Sequence, residues 1–249
     1  MITLAQLDLF LTIRILSSLA MLLCGSYSDL KSREVNDNVW ITFGIIGLGI
    51  NFIQFIIFGL ESISPIISII SFAVSSGLAI FLYILRFYGG ADAKAIIVLA
   101  IILPTYPMTY ELHPIAPLAV LTNGLFIALI LPLGYLILNI MKIMKKERIF
   151  EGFETESFSR KLVASLLGYR TRNIGESNFL LIMEQKIGDK KRFDFRMLND
   201  SFEFTSKANT WVTPGIPLLL FITVGFLLTM YPGDLLAIIM YQFVGLISS

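Results

Sequence analysis

Cysteine and histidine occur once each, as Cys24 and His113. A single cysteine rules out an internal disulfide and any thiolate-built zinc cluster, and a single histidine rules out the two-histidine zinc helix of metalloproteases. Charge is scarce as well: Asp, Glu, Lys and Arg make up 15% of 249 residues and nearly cancel, leaving a net +1. Such a balance gives nucleic acid no basic surface to bind. No Gly-x-Ser-x-Gly occurs, so a serine nucleophile lacks its usual setting; a Ser–Lys dyad from Ser75 or Ser76 with Lys94 is the weaker alternative. Phosphate loops, dinucleotide fingerprints and internal repeats are missing too, and no residue pattern calls for a metal or a cofactor.

What the chain has is apolar length. It is 56% hydrophobic, with a mean hydropathy of +0.80, which places it among integral membrane proteins. Crossing ~30 Å of hydrocarbon takes ~20 apolar residues at 1.5 Å rise per residue. Six stretches qualify: 8–28, 38–60, 63–86, 92–109, 114–141 and 213–231. The first is too long for a cleaved signal peptide and lacks a basic start, so it reads as a retained span. The apolar tail after Pro232-Gly233-Asp234 continues the sixth helix past a kink, lies in the interface, or makes a short further span.

Residues 142–212 differ, holding 14 of the 19 Lys and Arg and 10 of the 18 acidic residues, so this segment reads as a small folded soluble domain. Phe179 to Met183, Lys186 to Lys190 and Arg192 to Arg196 read as strand, turn, strand, with a further strand at Phe202–Phe204 and a helix near Leu162–Leu167. The expected fold is an all-α polytopic membrane protein of about six transmembrane helices, with a small soluble α+β, β-rich cytoplasmic domain inserted before the last span. Residues 1–141 form the five-span region, 142–212 the soluble domain, and 213–249 the sixth span with its tail. Lys142, Lys145, Lys146 and Arg148 adjoin the fifth span and mark that end as cytoplasmic. Threading backwards puts Lys31, Arg33, Arg86 and Lys94 on the same side and leaves Glu61 and Glu111 outside.

Two carboxyls then land at one membrane face: Asp29 in Ser28-Asp29-Leu30-Lys31-Ser32-Arg33, and Asp92 in Gly89-Gly90-Ala91-Asp92-Ala93-Lys94. A carboxylate at the end of an apolar run is costly and by default a functional candidate. Two within a few ångströms do not ionise together readily and share one proton. The ionised one deprotonates a water while the protonated one polarises a scissile carbonyl. Asp29 shares a helical face with Gly25 and Ser26, and Ala91, Ala93 and Ala95 surround Asp92; small residues let membrane helices approach closely. Gly89-Gly90 leaves room for an extended peptide.

Each residue also has a plainer reading. Asp29 suits a capping or topology residue, Asp92 a helix N-cap, Lys94 a topology charge, and Lys31 and Arg33 loop charges. Glu34 and Asp37 belong to a solvated turn or attract a basic peptide. His113 is incidental, Cys24 a small packing residue, and Arg14 either snorkels or pairs with an acid. What raises the functional reading is the two aspartates occurring together with these flanks.

The segment Asp29 to Arg33, followed by Val35-Asn36, resembles the first motif of the type IV prepilin peptidase family, and Gly89 to Lys94 resembles its second, the GxGD motif. Thr213-Pro214-Gly215-Ile216-Pro217, opening the sixth span, is similar to the family's archaeal, preflagellin (archaellin) peptidase branch. The resemblance runs from the first span to the sixth and leaves 142–212 unmatched. It implies a GxGD-type intramembrane aspartyl endopeptidase, with Asp29 and Asp92 catalytic and Gly89, Gly90, Ala91 and Lys94 supporting the motif. The implied partner is a flagellin- or pilin-like precursor, cut at the cytoplasmic face of the cell membrane to remove a short basic leader ahead of a hydrophobic helix. Ala91 departs from the strict motif, where Gly is usual. The cysteine-rich insert linked to N-methylation in bacterial members is missing, so cleavage without methyl transfer is expected.

The rival class is a small transporter or channel subunit whose carboxylates carry protons or cations. It calls for broken helices, a mid-membrane site and inverted repeats. A third reading is a catalytically silent relative that only docks an assembly partner.

Overall fold

The computed structural model of the chain describes residues 4–59, 65–108, 110–171, 180–187, 190–195 and 209–248. They divide into two compact units, Met1–Ala128 with Pro217–Ser249, and Leu129–Ile216.

The first unit holds seven helices: α1 (Leu4–Ser32), α2 (Asp37–Phe58), α3 (Pro65–Ile84), α4 (Gly90–Ile102), α5 (Ala116–Ala128), and, later in the chain, α8 (Leu218–Met230) and α9 (Leu235–Ser248). Their shared core joins Met21, Leu22, Trp40, Ala79, Ala95, Ile96, Leu99, Val120, Leu219, Ile222 and Phe226. Close approach depends on missing side chains. A Cβ at Gly225 on α8 would sit 2.4 Å from the Val120 carbonyl oxygen and 2.5 Å from the Gly124 nitrogen on α5, and one at Gly124 would sit 2.8 Å from the Phe221 oxygen. The α5–α8 pair therefore meets backbone to backbone, the small-residue mode of membrane helix packing.

Among the described residues four helices are long and apolar enough to cross a membrane: Leu9–Ser32, Asp37–Phe58, Ile66–Ile84 and Ala116–Met144. A fifth crossing exists if α8 and α9, bent by 53°, count as one. The expected six is not reached, and α4 is the reason. The run 92–109 is apolar throughout, but Pro104 and Pro107 break it. Leu103 leaves the helix at φ −131°, ψ 73°, since a following proline disfavours the helical conformation. Thirteen residues remain helical, roughly 20 Å of rise, short of the ~30 Å core. Thr105 pairs instead with Ile115 in an isolated β-bridge.

A helix ending inside the apolar layer must still satisfy its last carbonyls. Arg14 of α1 donates to the Ile102 oxygen, Asn51 of α2 donates to the Ile101 oxygen at 2.9 Å, and Ser71 of α3 donates to the Pro104 oxygen. Arg14 is itself held by Asn51 Oδ1 at 2.6 Å and Gln54 Oε1 at 2.8 Å. It is 4% exposed and does not snorkel, and among the described residues its partners are neutral. Its cation sits at the negative end of the α4 dipole, where positive charge is favoured.

The α8–α9 break is organised in the same way. Asn123 of α5, fully buried, donates to Thr229 Oγ1 at 3.0 Å and to the Gly233 oxygen at 2.9 Å, and its Oδ1 accepts the Leu235 N–H. Asp234 Oδ1 accepts the Leu236 N–H and so caps α9. The apolar tail is a helix turned off the α8 axis. Leucine at position 123 has the same size but leaves these groups orphaned. An Asn123→Leu chain is expected to lose about 1–3 kcal/mol, read as a lower thermal midpoint in detergent; an unchanged midpoint contradicts this account of the bend.

The second unit contains α6 (Ile130–Met144), α7 (Phe158–Leu167), β1 (Tyr169–Thr171), β2 (Leu180–Ile182), β3 (Glu184–Ile187), β4 (Lys190–Phe193) and β5 (Thr210–Pro214). The sheet order is β1-β5-β2, antiparallel, with a separate β3–β4 hairpin. Of the expected strand–turn–strand, the first strand contains β2 and the last begins within β4, but the expected turn, Lys186 to Lys190, holds the end of β3 and the start of β4; the expected helix lies in α7, and the further strand at Phe202–Phe204 lies outside the described residues. Trp211 on β5 and Phe153 and Phe193 form the core with Ile149, Ala164 and Met183. Phe153 and Phe193 stack at 4.2 Å, and Trp211 meets Phe193 edge-on at 5.3 Å. Trp211 also donates its indole N–H to the Ile149 oxygen at 2.9 Å. Thr213 and Pro214 belong to β5, and the helix expected from 213 begins at Leu218. The apolar run there hides a strand because β5 is buried and therefore apolar too.

Candidate functional site

Asp29 occupies the last full turn of α1, and Asp92 the first turn of α4. The helices lie against each other antiparallel, since the far end of α4 is the one fastened to Arg14. The end of α1 that carries Asp29 is also packed tightly. A Cβ at Gly25 would stand 2.9 Å from Trp40 Cη2, so glycine there admits the indole of α2. Ser26 bonds Thr223 of α8 at 2.7 Å, both buried. One face of α1 is thus clamped between α2 and α8 within a turn of Asp29.

Asp92 is positioned by its own helix start. Gly89 is the N-cap, and Asp92, at the third helical position, accepts the Gly89 N–H on Oδ2 at 3.0 Å. This is the carboxylate half of a capping box. The plain capping role is therefore real, from the third position and not from the cap itself, and it engages one of two carboxyl oxygens. A Cβ at Gly89 would lie 3.4 Å from that Oδ2, so glycine there keeps the acid uncrowded. Ala91 is in helical conformation, where alanine is favoured, so Gly is not required at that position. Tyr88, just ahead of the motif, donates to the Ala79 oxygen of α3 at 3.1 Å and steadies the approach to α4.

Asp29 and Asp92 stand at neighbouring ends of two packed helices, α1 and α4, and Arg33 follows Asp29 by one turn. Arg33 Nη1 stands 3.7 Å from Asp29 Oδ2. A loop charge in the sequence reading, Arg33 here folds back over the helix that carries Asp29. Lys94 Nζ contacts Asp37 Oδ1 at 2.6 Å, tying α4 to the start of α2, itself capped by Asn36 through the Asn38 N–H. Both partners of that pair are exposed, so it contributes little stability. It does link the segments after the two motifs, which no helix-face rule connects. Nor does Lys94 meet a serine, and Ser75 and Ser76 are buried in α3; the Ser–Lys alternative has no assembled dyad. Cys24 is exposed on α1 and not packed inside. Among the described residues no group of three or more His, Cys, Asp or Glu side chains is gathered to hold a metal ion.

Residues 16–133 match the type IV leader peptidase family. The matched residues run from within α1 through α5 and include both motif aspartates. Similarity to individual proteins extends further along the chain. The preflagellin peptidase of Methanocaldococcus jannaschii is 29% identical over 224 residues, covering 86% of this chain and 91% of that protein. The preflagellin peptidases of Methanococcus voltae and Methanococcus maripaludis are each 27% identical, with 86% of this chain and 92% of each relative covered.

Proposed function

We infer that this chain is a membrane aspartyl endopeptidase that removes the leader from preflagellin-like precursors, with Asp29 and Asp92 as its catalytic pair. The observation that carries the reading is the packing of α1 against α4 with Asp29 and Asp92 at their neighbouring ends, inside the segment that matches a leader peptidase family. Two carboxyls so placed can share one proton around a water. The ionised one takes a proton from that water as its oxygen adds to the scissile carbonyl carbon, and the protonated one gives its proton to the carbonyl oxygen. Collapse of the tetrahedral adduct breaks the C–N bond and returns a proton to the leaving amine.

Lys31, Arg33, Arg86 and Lys94 cluster in sequence around the two motifs, and this excess supports a cytoplasmic location for the pair. A basic leader held there sits beside the first ordered turn of a substrate's hydrophobic helix, the point where a peptide bond is still extended enough to attack. One cysteine leaves no cysteine-rich insert, which supports cleavage without methylation. The transporter reading gains nothing from the family match.

Purified chain in liposomes, mixed with a preflagellin from an archaeal source, is expected to release a single shortened product, with the new N-terminus placed by mass spectrometry ahead of the hydrophobic helix. Intact precursor after prolonged incubation, with the chain folded, overturns the reading.

A further inference from the structure

We propose that Arg33 is the positioning residue of the carboxyl pair, aiming the Asp29 carboxylate and holding it as the water-activating base, so that the shared proton rests on Asp92. The inference rests on the catalytic reading of Asp29 and Asp92 and adds a division of roles that two similar carboxyls alone do not define.

Its basis is the way α1 ends. Asp29 and Arg33 are four residues apart, acid first, the spacing and order that favour an ion pair on one helix face. At Arg33 the chain leaves the helix with φ of 58°, a left-handed residue whose N–H still closes on the Asp29 oxygen at 2.9 Å. Glycine is the usual residue for such a stop. Here an arginine occupies it, and its side chain turns back over the last turn, 23% exposed, with Nη1 3.7 Å from an Asp29 side chain that is 16% exposed.

Among the described residues of the helices packed on α1, Arg33 is the cation at ion-pair distance from Asp29. α8 has no ionisable side chain, α2 has only Asp37, and α4 has Asp92 and Lys94. Asp37 and Lys94 engage each other. Lys31 of α1 lies over the Tyr27 ring. The acid across the interface, Asp92, accepts the Gly89 N–H. The guanidinium at ion-pair distance from Asp29, with a backbone amide as the contact of Asp92, makes the two carboxyls unequal. The charged partner favours the charged form beside it. Asp29 is thereby assigned to take the proton from water, and Asp92 to give one to the carbonyl.

The test compares three chains in liposomes against a preflagellin: wild type, Arg33→Met, which keeps the apolar stem without charge, and Arg33→Lys, which keeps the charge. All three place a non-glycine residue at the left-handed position, so the backbone demand is equal. Arg33→Met is expected to lower kcat by about ten- to a hundredfold with KM within twofold, and Arg33→Lys to recover most of the loss. A loss confined to KM, or an Arg33→Lys chain no better than Arg33→Met, overturns the proposal. Asp29→Asn and Asp92→Asn run in parallel: if they cleave normally, the catalytic pair itself falls and this inference with it. If they are dead while the Arg33 chains cleave like wild type, only the role of Arg33 is refuted.

Discussion

Chains carrying Asp29→Asn or Asp92→Asn are expected to cleave precursor 10²–10⁴-fold more slowly than wild type, the range over which a positioned acid or base contributes. Asparagine is close to aspartate in size, so the loss reads the proton chemistry and not the packing. At position 92 the amide oxygen still accepts the Gly89 N–H that the carboxylate now accepts at 3.0 Å, which keeps the α4 cap. At position 29 the ion pair with Arg33 is lost, but a part-exposed i,i+4 pair is worth only a few tenths of a kcal/mol. Both variants should therefore melt near wild type in detergent. Residues that act as one unit do not add, so the double variant should be no slower than the worse single one. Initial rates of product release in liposomes check all three statements. Either single variant retaining more than a tenth of the wild-type rate removes that residue from the chemistry.

The second large effect concerns Gly225. A new Cβ there would stand 2.4 Å from the Val120 oxygen and 2.5 Å from the Gly124 nitrogen. Both are backbone atoms, so no side-chain rotation relieves the clash. Overpacking of this kind ordinarily costs about 1–3 kcal/mol, and a backbone obstacle pushes it to that upper end or beyond. Gly225→Leu should separate α5 from α8 and lower the detergent melting midpoint steeply. Because Thr223 on the same α8 bonds Ser26 beside Asp29, cleavage should fall with the fold. Gly134, whose Cβ would meet nothing within 4 Å, is the control: Gly134→Leu should leave both readings nearly unchanged. Equal midpoints for the two leucine chains would remove the glycine contact from the account.

Much of this was legible from residue patterns. The long helices follow from apolar runs whose breaks coincide with polar or glycine-containing turns, and both motif aspartates stand out because a carboxylate beside an apolar run is rare. Strands are legible on both sides of Gly188-Asp189, but the first is read at Phe179 to Met183, where β2 lies, and part of β3 is read as turn. What escaped depended on partners distant in the chain. Hydropathy averages over Leu103 to Met108 and hides the stop at Pro104, although both prolines are visible signals. β5 looks like the start of a membrane helix because a buried strand and a helix segment share an apolar composition. Arg33 reads as a loop charge until its left-handed backbone is known. No periodicity links Lys94 to Asp37 across 57 positions.

Arg14 bears on how the chain enters the bilayer. An arginine at the centre of a helix raises the cost of insertion by about 2.5–3.5 kcal/mol, and α1 emerges before any of the groups that quiet the guanidinium. Two of them, Asn51 and Gln54, arrive with α2, and the third, the Ile102 carbonyl, only once α4 has been made. The first helix is therefore a poor independent passenger, and its stable lodging waits on capture by the hairpin partner that follows it out of the ribosome.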